Sequence, residues 1–103
     1  MELKVRWTNL ASEQLADIFD FYKTTDTIAV ARKIVKALVV RTAALPLQPQ
    51  QGQQELLLSD RSKEFRNLVE GNYKIIYWVE PLAIFIAAVI DTRQNPVKIE
   101  QVK

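Results

Sequence analysis

Three cations stand where this chain could do chemistry: Arg66, Lys74 and Arg93. Arg66 and Lys74 lie on the two arms of the stretch "EFRNLVEGNYKIIYW", residues 64–78, with Gly71 and Asn72 between them. Arg93 follows the apolar run "PLAIFIAAVI", and Asp91 precedes it by two residues. Grouped together, such side chains would bind phosphate or carboxylate through charge-assisted hydrogen bonds. They could also stabilise the charge that develops when an RNA 2′-hydroxyl attacks its own phosphodiester. A lysine of lowered pKa, or a carboxylate such as Glu64 or Glu70, would then have to move the proton.

Other chemistry is closed off by composition. The chain has no histidine and no cysteine, so Ser59 and Ser62 lack the base that would activate a nucleophile. Thiolate and imidazole metal sites are absent for the same reason, and the carboxylates are scattered singly rather than clustered. No metal and no cofactor are expected. The plain reading of the cations is structural, with Arg93 paired to Asp91 or Glu64 at the surface. Tyr73 and Tyr77 could stack on bases, but aromatics in a central strand more often form core, as do Trp7 and Trp78.

The elements that must carry these residues follow from periodicity. Residues 2–7 alternate, with Leu3, Val5 and Trp7 on one side and Lys4 and Arg6 on the other, which predicts a half-buried strand. Thr8 or Asn9 then offers an N-cap oxygen to a helix in which Ala11, Leu15, Ile18 and Tyr22 share a face. "TTDT" at 24–27 breaks that helix and caps a second one. Its stripe runs through Ile28, Ala31, Val35, Leu38, Thr42 and Leu45, and Pro46 and Pro49 stop it. Helices joined so tightly should form an antiparallel hairpin. The second carries Arg32, Lys33, Lys36 and Arg41 without an acid between 32 and 41, a face that is either simply solvated or attractive to an acidic partner.

The glutamine-rich tract 48–54 has no hydrophobic period and reads as an exposed loop or linker. "ELLLSD" at 55–60 fits a turn of helix or a strand edge equally well. Three strands follow, at 64–70, 73–80 and 83–91, joined by short turns and so antiparallel. "VKIEQVK" at 97–103 makes a short tail. The chain of 103 residues is then one domain, 1–103, of α+β class in the order β-α-α-β-β-β, an antiparallel sheet with a helical hairpin on one face. A two-residue turn at Gly71-Asn72 sets Arg66 opposite Tyr77 and Val69 opposite Lys74, which sends the two cations to opposite faces. One extra loop residue would place them side by side. The start "MELKVRW" does not read as a signal or transit peptide and no apolar run reaches about 20 residues, so a cytoplasmic protein without a membrane partner is expected; the balance of fourteen Lys and Arg against twelve Asp and Glu is only mildly basic.

Over nearly its whole length the chain resembles the RelE/ParE superfamily of toxins from bacterial type II toxin–antitoxin modules. The likeness lies in a short first strand, a helical hairpin ending "AALPLQP", the segment "EFRNLVEGNYKIIYWVEP" and a last strand closing "VIDTRQNP". Phe65-Arg66, Gly71, Tyr73-Lys74 and Tyr77 fall at the family's motif positions. Where the last strand usually ends His-x-Arg-Arg, this chain has Asp91-Thr92-Arg93-Gln94. The resemblance implies growth inhibition, a role in plasmid stabilisation, and neutralisation by a cognate antitoxin lying along the helices and the sheet. It makes Arg32, Lys36, Arg66, Lys74, Asp91 and Arg93 candidate partner-binding residues, and leaves a homodimer open. RelE-like members cut mRNA on the ribosome with sheet cations, so Arg66, Lys74 and Arg93 are the catalytic candidates if this chain is a nuclease. ParE-like members instead poison DNA gyrase. No Tyr or His follows Tyr77, and the long hairpin and short tail favour the ParE-like branch. A degenerate member that only binds its antitoxin is the third reading.

Overall fold

The computed structural model describes residues 3–93 and Val102. β1 (Lys4–Trp7) leads into α1 (Asn9–Thr25) and α2 (Ile28–Ala43), followed by a single 3-10 turn at Leu45–Leu47. Then come β2 (Gln53–Gln54), a second 3-10 turn at Leu56–Leu58, β3 (Arg66–Glu70), β4 (Tyr73–Val79) and β5 (Ala83–Asp91). Thr8 is the N-cap of α1, its Oγ1 accepting from the Ala11 amide at 3.2 Å. Thr27 caps α2 in the same way, accepting from the Val30 amide at 3.1 Å. Each cap satisfies one of the amides that a helix start leaves without a partner.

The five strands form one sheet in the order β1-β5-β4-β3-β2. β3, β4 and β5 pair antiparallel, as their short turns predict, while β1 joins the far edge parallel to β5. The sheet is therefore mixed. The parallel pairing has no local signature, because strand alternation does not encode the direction of a neighbour 76 or more positions away. The glutamine-rich tract departs from a plain loop: Gln53 and Gln54 form the edge strand β2, paired with Asn67 and Arg66. "ELLLSD" resolves as a 3-10 turn whose Leu58 is buried while Leu56 and Leu57 are exposed.

Two apolar clusters sandwich the sheet. On the helix side Ala11, Ile18, Leu38 and Leu45 pack on Leu68, Tyr73, Ile75, Tyr77, Ile84, Ile86 and Val89. On the other side Leu58, Phe65 and Val102 cover Ile76, Ala87, Ala88 and Ile90. Tyr73 and Tyr77 are both core residues, 7% and 0% exposed, which leaves neither ring a free face for stacking. Along β5, Ile84, Ile86 and Val89 all reach the helix side although 86 and 89 differ in parity. A β-bulge makes this work, since Ile76 pairs with Ala88 and Tyr77 with Ile86, leaving Ala87 as the extra residue. The Thr8 hydroxyl donates to the carbonyls on either side of that junction, Ile86 at 3.0 Å and Ala87 at 3.2 Å. One residue thus starts α1 and ties it to the bulge.

Candidate functional site

The turn at Gly71-Asn72 has the two-residue register. Arg66 pairs with Tyr77 and Val69 with Lys74, and Gly71 supplies the positive φ of 60° that the turn requires. Cross-strand partners share a face, so Arg66 lies with Tyr77 on the helix side and Lys74 lies with Val69 on the other. The side-by-side arrangement is excluded. Arg66 and Lys74 cannot grip one phosphate together.

Each candidate cation already holds a carboxylate. Arg66 Nη2 is 3.1 Å from Glu64 Oε1, and its Nη1 donates to the Gly52 carbonyl at 2.7 Å. Lys74 Nζ is 2.9 Å from Oε1 of Glu55, a residue only 4% exposed. Arg93 meets Asp91 in a two-point fork, Nε to Oδ1 at 2.9 Å and Nη2 to Oδ2 at 2.7 Å, and its amide donates to the same Oδ1 at 2.8 Å. That fork holds the Arg93 guanidinium protonated above its ordinary range. The structural reading of Arg93 with Asp91 is the geometry found. Arg66 also borders an open hollow lined by Lys63, Trp78, Glu64 and Glu80, where two carboxylates offset the two cations.

On the helix side, next to Asp91, an open groove of about 280 Å³ runs between α1 and the ends of β4 and β5. Ile18, Phe21, Tyr73 and Val89 line it together with the polar Gln14, Asp17 and Asp91, and Phe21 is 55% exposed. Gln14 also accepts the Val89 amide at 2.8 Å, which occupies one donor on that stretch of β5. Tyr73 Oη donates to Tyr22 Oη at 3.3 Å. Burial, followed by this hydrogen bond, pushes the Tyr73 phenol above its ordinary value of 10.0. Arg32 and Lys36 project from α2 into solvent, and neither enters an ion pair among the described residues.

The residues that sequence reasoning passed over are Glu55, Gly52 and the hydroxyl of Tyr77. Glu55 opens an apolar triplet, and a lone acid before "LLL" is a weak sign of a buried anchor. Gly52 is one of only two glycines, and a Cβ there would stand 2.6 Å from both the Asn67 carbonyl and Tyr77 Oη. No nucleophile–base pair occurs among the described residues. No group of three or more His, Cys, Asp or Glu that could hold a metal ion occurs among them either. What the surface offers is a lined groove and a basic helix face on a small α+β fold.

Solved structures share this fold. The chromosomal ParDE toxin–antitoxin system from P. aeruginosa superposes with a TM-score of 0.73 at 22% identity, over 87% of this chain and 96% of that one. The YoeB dimer from Staphylococcus aureus gives 0.54 at 18% identity, over 85% and 94%. No curated protein sequence matches the chain. The family profile of the ParE toxin of the type II toxin–antitoxin system parDE matches residues 5–96, and the chain belongs to that family.

Proposed function

We propose that this chain is the toxin of a type II toxin–antitoxin module, that it arrests growth by binding DNA gyrase, and that a cognate antitoxin neutralises it in the cytoplasm. The family match over residues 5–96 carries the reading. The dispersal of the cations supports contact over catalysis. A nuclease needs Arg66, Lys74 and Arg93 around one phosphate with a proton-transfer group beside them. Here Arg66 and Lys74 take opposite faces and all three are engaged with carboxylates. A protein-directed poison needs only a shaped surface. For the antitoxin, the groove beside Phe21, apolar at Ile18, Phe21 and Val89 and acidic at Asp17 and Asp91, suits the apolar side chains of an extended or helical segment, and exposed Arg32 and Lys36 suit its acids.

The test is induced expression without antitoxin, read separately as DNA supercoiling and mRNA integrity. Growth arrest with altered supercoiling and intact mRNA is expected. Rapid mRNA cuts that vanish in Arg66→Ala or Arg93→Ala would make the chain a ribosome-dependent endonuclease instead. Normal growth together with tight antitoxin binding would make it a degenerate member.

A further inference from the structure

Between α2 and β3 the chain runs for 22 residues with little helix or strand, yet its backbone is held at two places on opposite faces of the sheet. On the helix face Tyr77, fully buried, donates its hydroxyl to the Pro49 carbonyl at 2.9 Å and accepts the Gly52 amide at 2.9 Å. Arg66, its cross-strand neighbour, adds bonds to the carbonyls of Gly52 at 2.7 Å and Gln50 at 3.4 Å. On the other face the buried Glu55 carboxylate takes Lys74 Nζ at 2.9 Å, Asn67 Nδ2 at 3.2 Å and the Leu57 amide at 3.2 Å. The Glu55 amide donates to the Phe65 carbonyl at 2.8 Å, closing the loop on itself. β2 lies between the two anchor points, against the outer edge of β3.

We infer that Arg66 and Lys74 are positioning residues, the two halves of a clasp that locks segment 48–65 across the edge of the sheet. The alternating direction of side chains along strands makes a two-sided clasp possible, because neighbouring arms of one hairpin can send a donor to each face. Arg66 and Tyr77 secure the Pro49–Gly52 end, while Lys74 and Glu55 secure the turn that carries Leu56 and Leu57. A buried carboxylate is held only where its lone pairs are met, and Glu55 meets three donors. Gly52 is required where the clasp closes, since any side chain would displace the Asn67 carbonyl or the Tyr77 hydroxyl. The inference assigns Arg66 and Lys74 a role whether or not the chain poisons gyrase. The functional arm of its test rests on the proposed toxicity.

The test is amide hydrogen exchange on the purified full chain, comparing wild type with Tyr77→Phe, Lys74→Met and Glu55→Gln. Tyr77→Phe should speed exchange at Gly52 roughly tenfold or more while sparing Leu57, the effect of losing one or two hydrogen bonds. Lys74→Met and Glu55→Gln should instead speed exchange at Leu57 and Glu55 and spare Gly52. Growth inhibition, where present, should weaken in both Tyr77→Phe and Arg66→Ala. Tyr77 is fully buried, so a shared loss in variants whose helices keep their exchange protection acts through the segment and not by direct contact. Unchanged exchange at Gly52 and Leu57 in all three variants would overturn the clasp. So would lost toxicity in Lys74→Met with exchange intact, which would make Lys74 a direct contact. If no toxicity exists, the exchange result still decides the clasp while the functional proposal fails alone.

Discussion

The helical hairpin and the segment that follows it are held by different forces. α1 and α2 are fixed by an apolar stripe, Ala11, Ile18 and Leu38, extended by Leu45 of the following 3-10 turn and pressed onto the sheet. Burial of this kind is non-directional, and its strength follows the area removed from water. Residues 48–65 contribute only Leu58 and Phe65 to a core cluster. Hydrogen bonds to the Tyr77 hydroxyl, the Arg66 guanidinium and the Glu55 carboxylate hold the rest. The hairpin should therefore tolerate changes that preserve apolar volume, whereas the segment should fail when one donor or acceptor is lost.

Substitutions on each side sharpen that contrast. Leu38→Ala, at a site 1% exposed, should destabilise the whole fold by about 2–5 kcal/mol through lost transfer energy and the cavity left behind. Denaturant unfolding would show it as a lower midpoint with unchanged cooperativity. Broadening into two transitions would mean that the hairpin unfolds separately from the sheet. Lys74→Met should cost about 2–4 kcal/mol, because it strands a carboxylate that is 4% exposed. Glu55→Gln in the same chain should recover part of that loss, and a double-mutant cycle would measure the coupling. Simple additivity of the two would show that the ion pair does not anchor the turn.

Tyr77→Phe should cost about 1–3 kcal/mol, since the Gly52 amide and Pro49 carbonyl lose their partner. Limited proteolysis should then cut within 48–65 before any cleavage in α1 or α2. Alkali probes the same buried tyrosines. Burial raises the phenols of Tyr73 and Tyr77 above 10.0 in the folded chain. The unfolded chain therefore ionises them first, and the stability present below pH 10 should fall as pH rises beyond it. Titration monitored by tyrosinate absorbance should show Tyr73 and Tyr77 ionising later in the folded chain than in the unfolded one; coincident ionisation of these two in both states would contradict the burial. Smallest of all, Leu56→Ser, on a side chain 74% exposed, should shift stability by no more than about 0.5 kcal/mol.

Much of the architecture was legible because its signals are local. The stripes of α1 and α2, the Thr8 and Thr27 caps, the stop before Pro46 and the Gly71 turn each lie within a few residues of the element they define. The candidate site was less legible. Arg66, Lys74 and Arg93 could be named from residue type and resemblance, but their carboxylate partners lie at quite different separations. Glu64 and Asp91 are two positions away, whereas Glu55 lies nineteen positions before Lys74 and in a tract without periodicity. Tyr77 was expected in the core for its ring, and its hydroxyl together with the Asn67 carbonyl explains why Gly52 must be a glycine.

By itself, the sequence determined the two helices, the four longer strands, their order, the family resemblance and the absence of histidine and cysteine chemistry, all properties of local pattern or of composition. Tertiary structure alone decided four matters: the parallel seat of β1 beside β5, the bulge at Ala87, the conversion of Gln53–Gln54 into an edge strand, and the choice between two hairpin registers. The first three depend on which backbone groups distant in sequence pair, settled by burial of both sheet faces, and the register depends on which turn the chain closes at Gly71-Asn72. The register sends Arg66 and Lys74 to opposite sides of the sheet, where each finds a different part of the same loop.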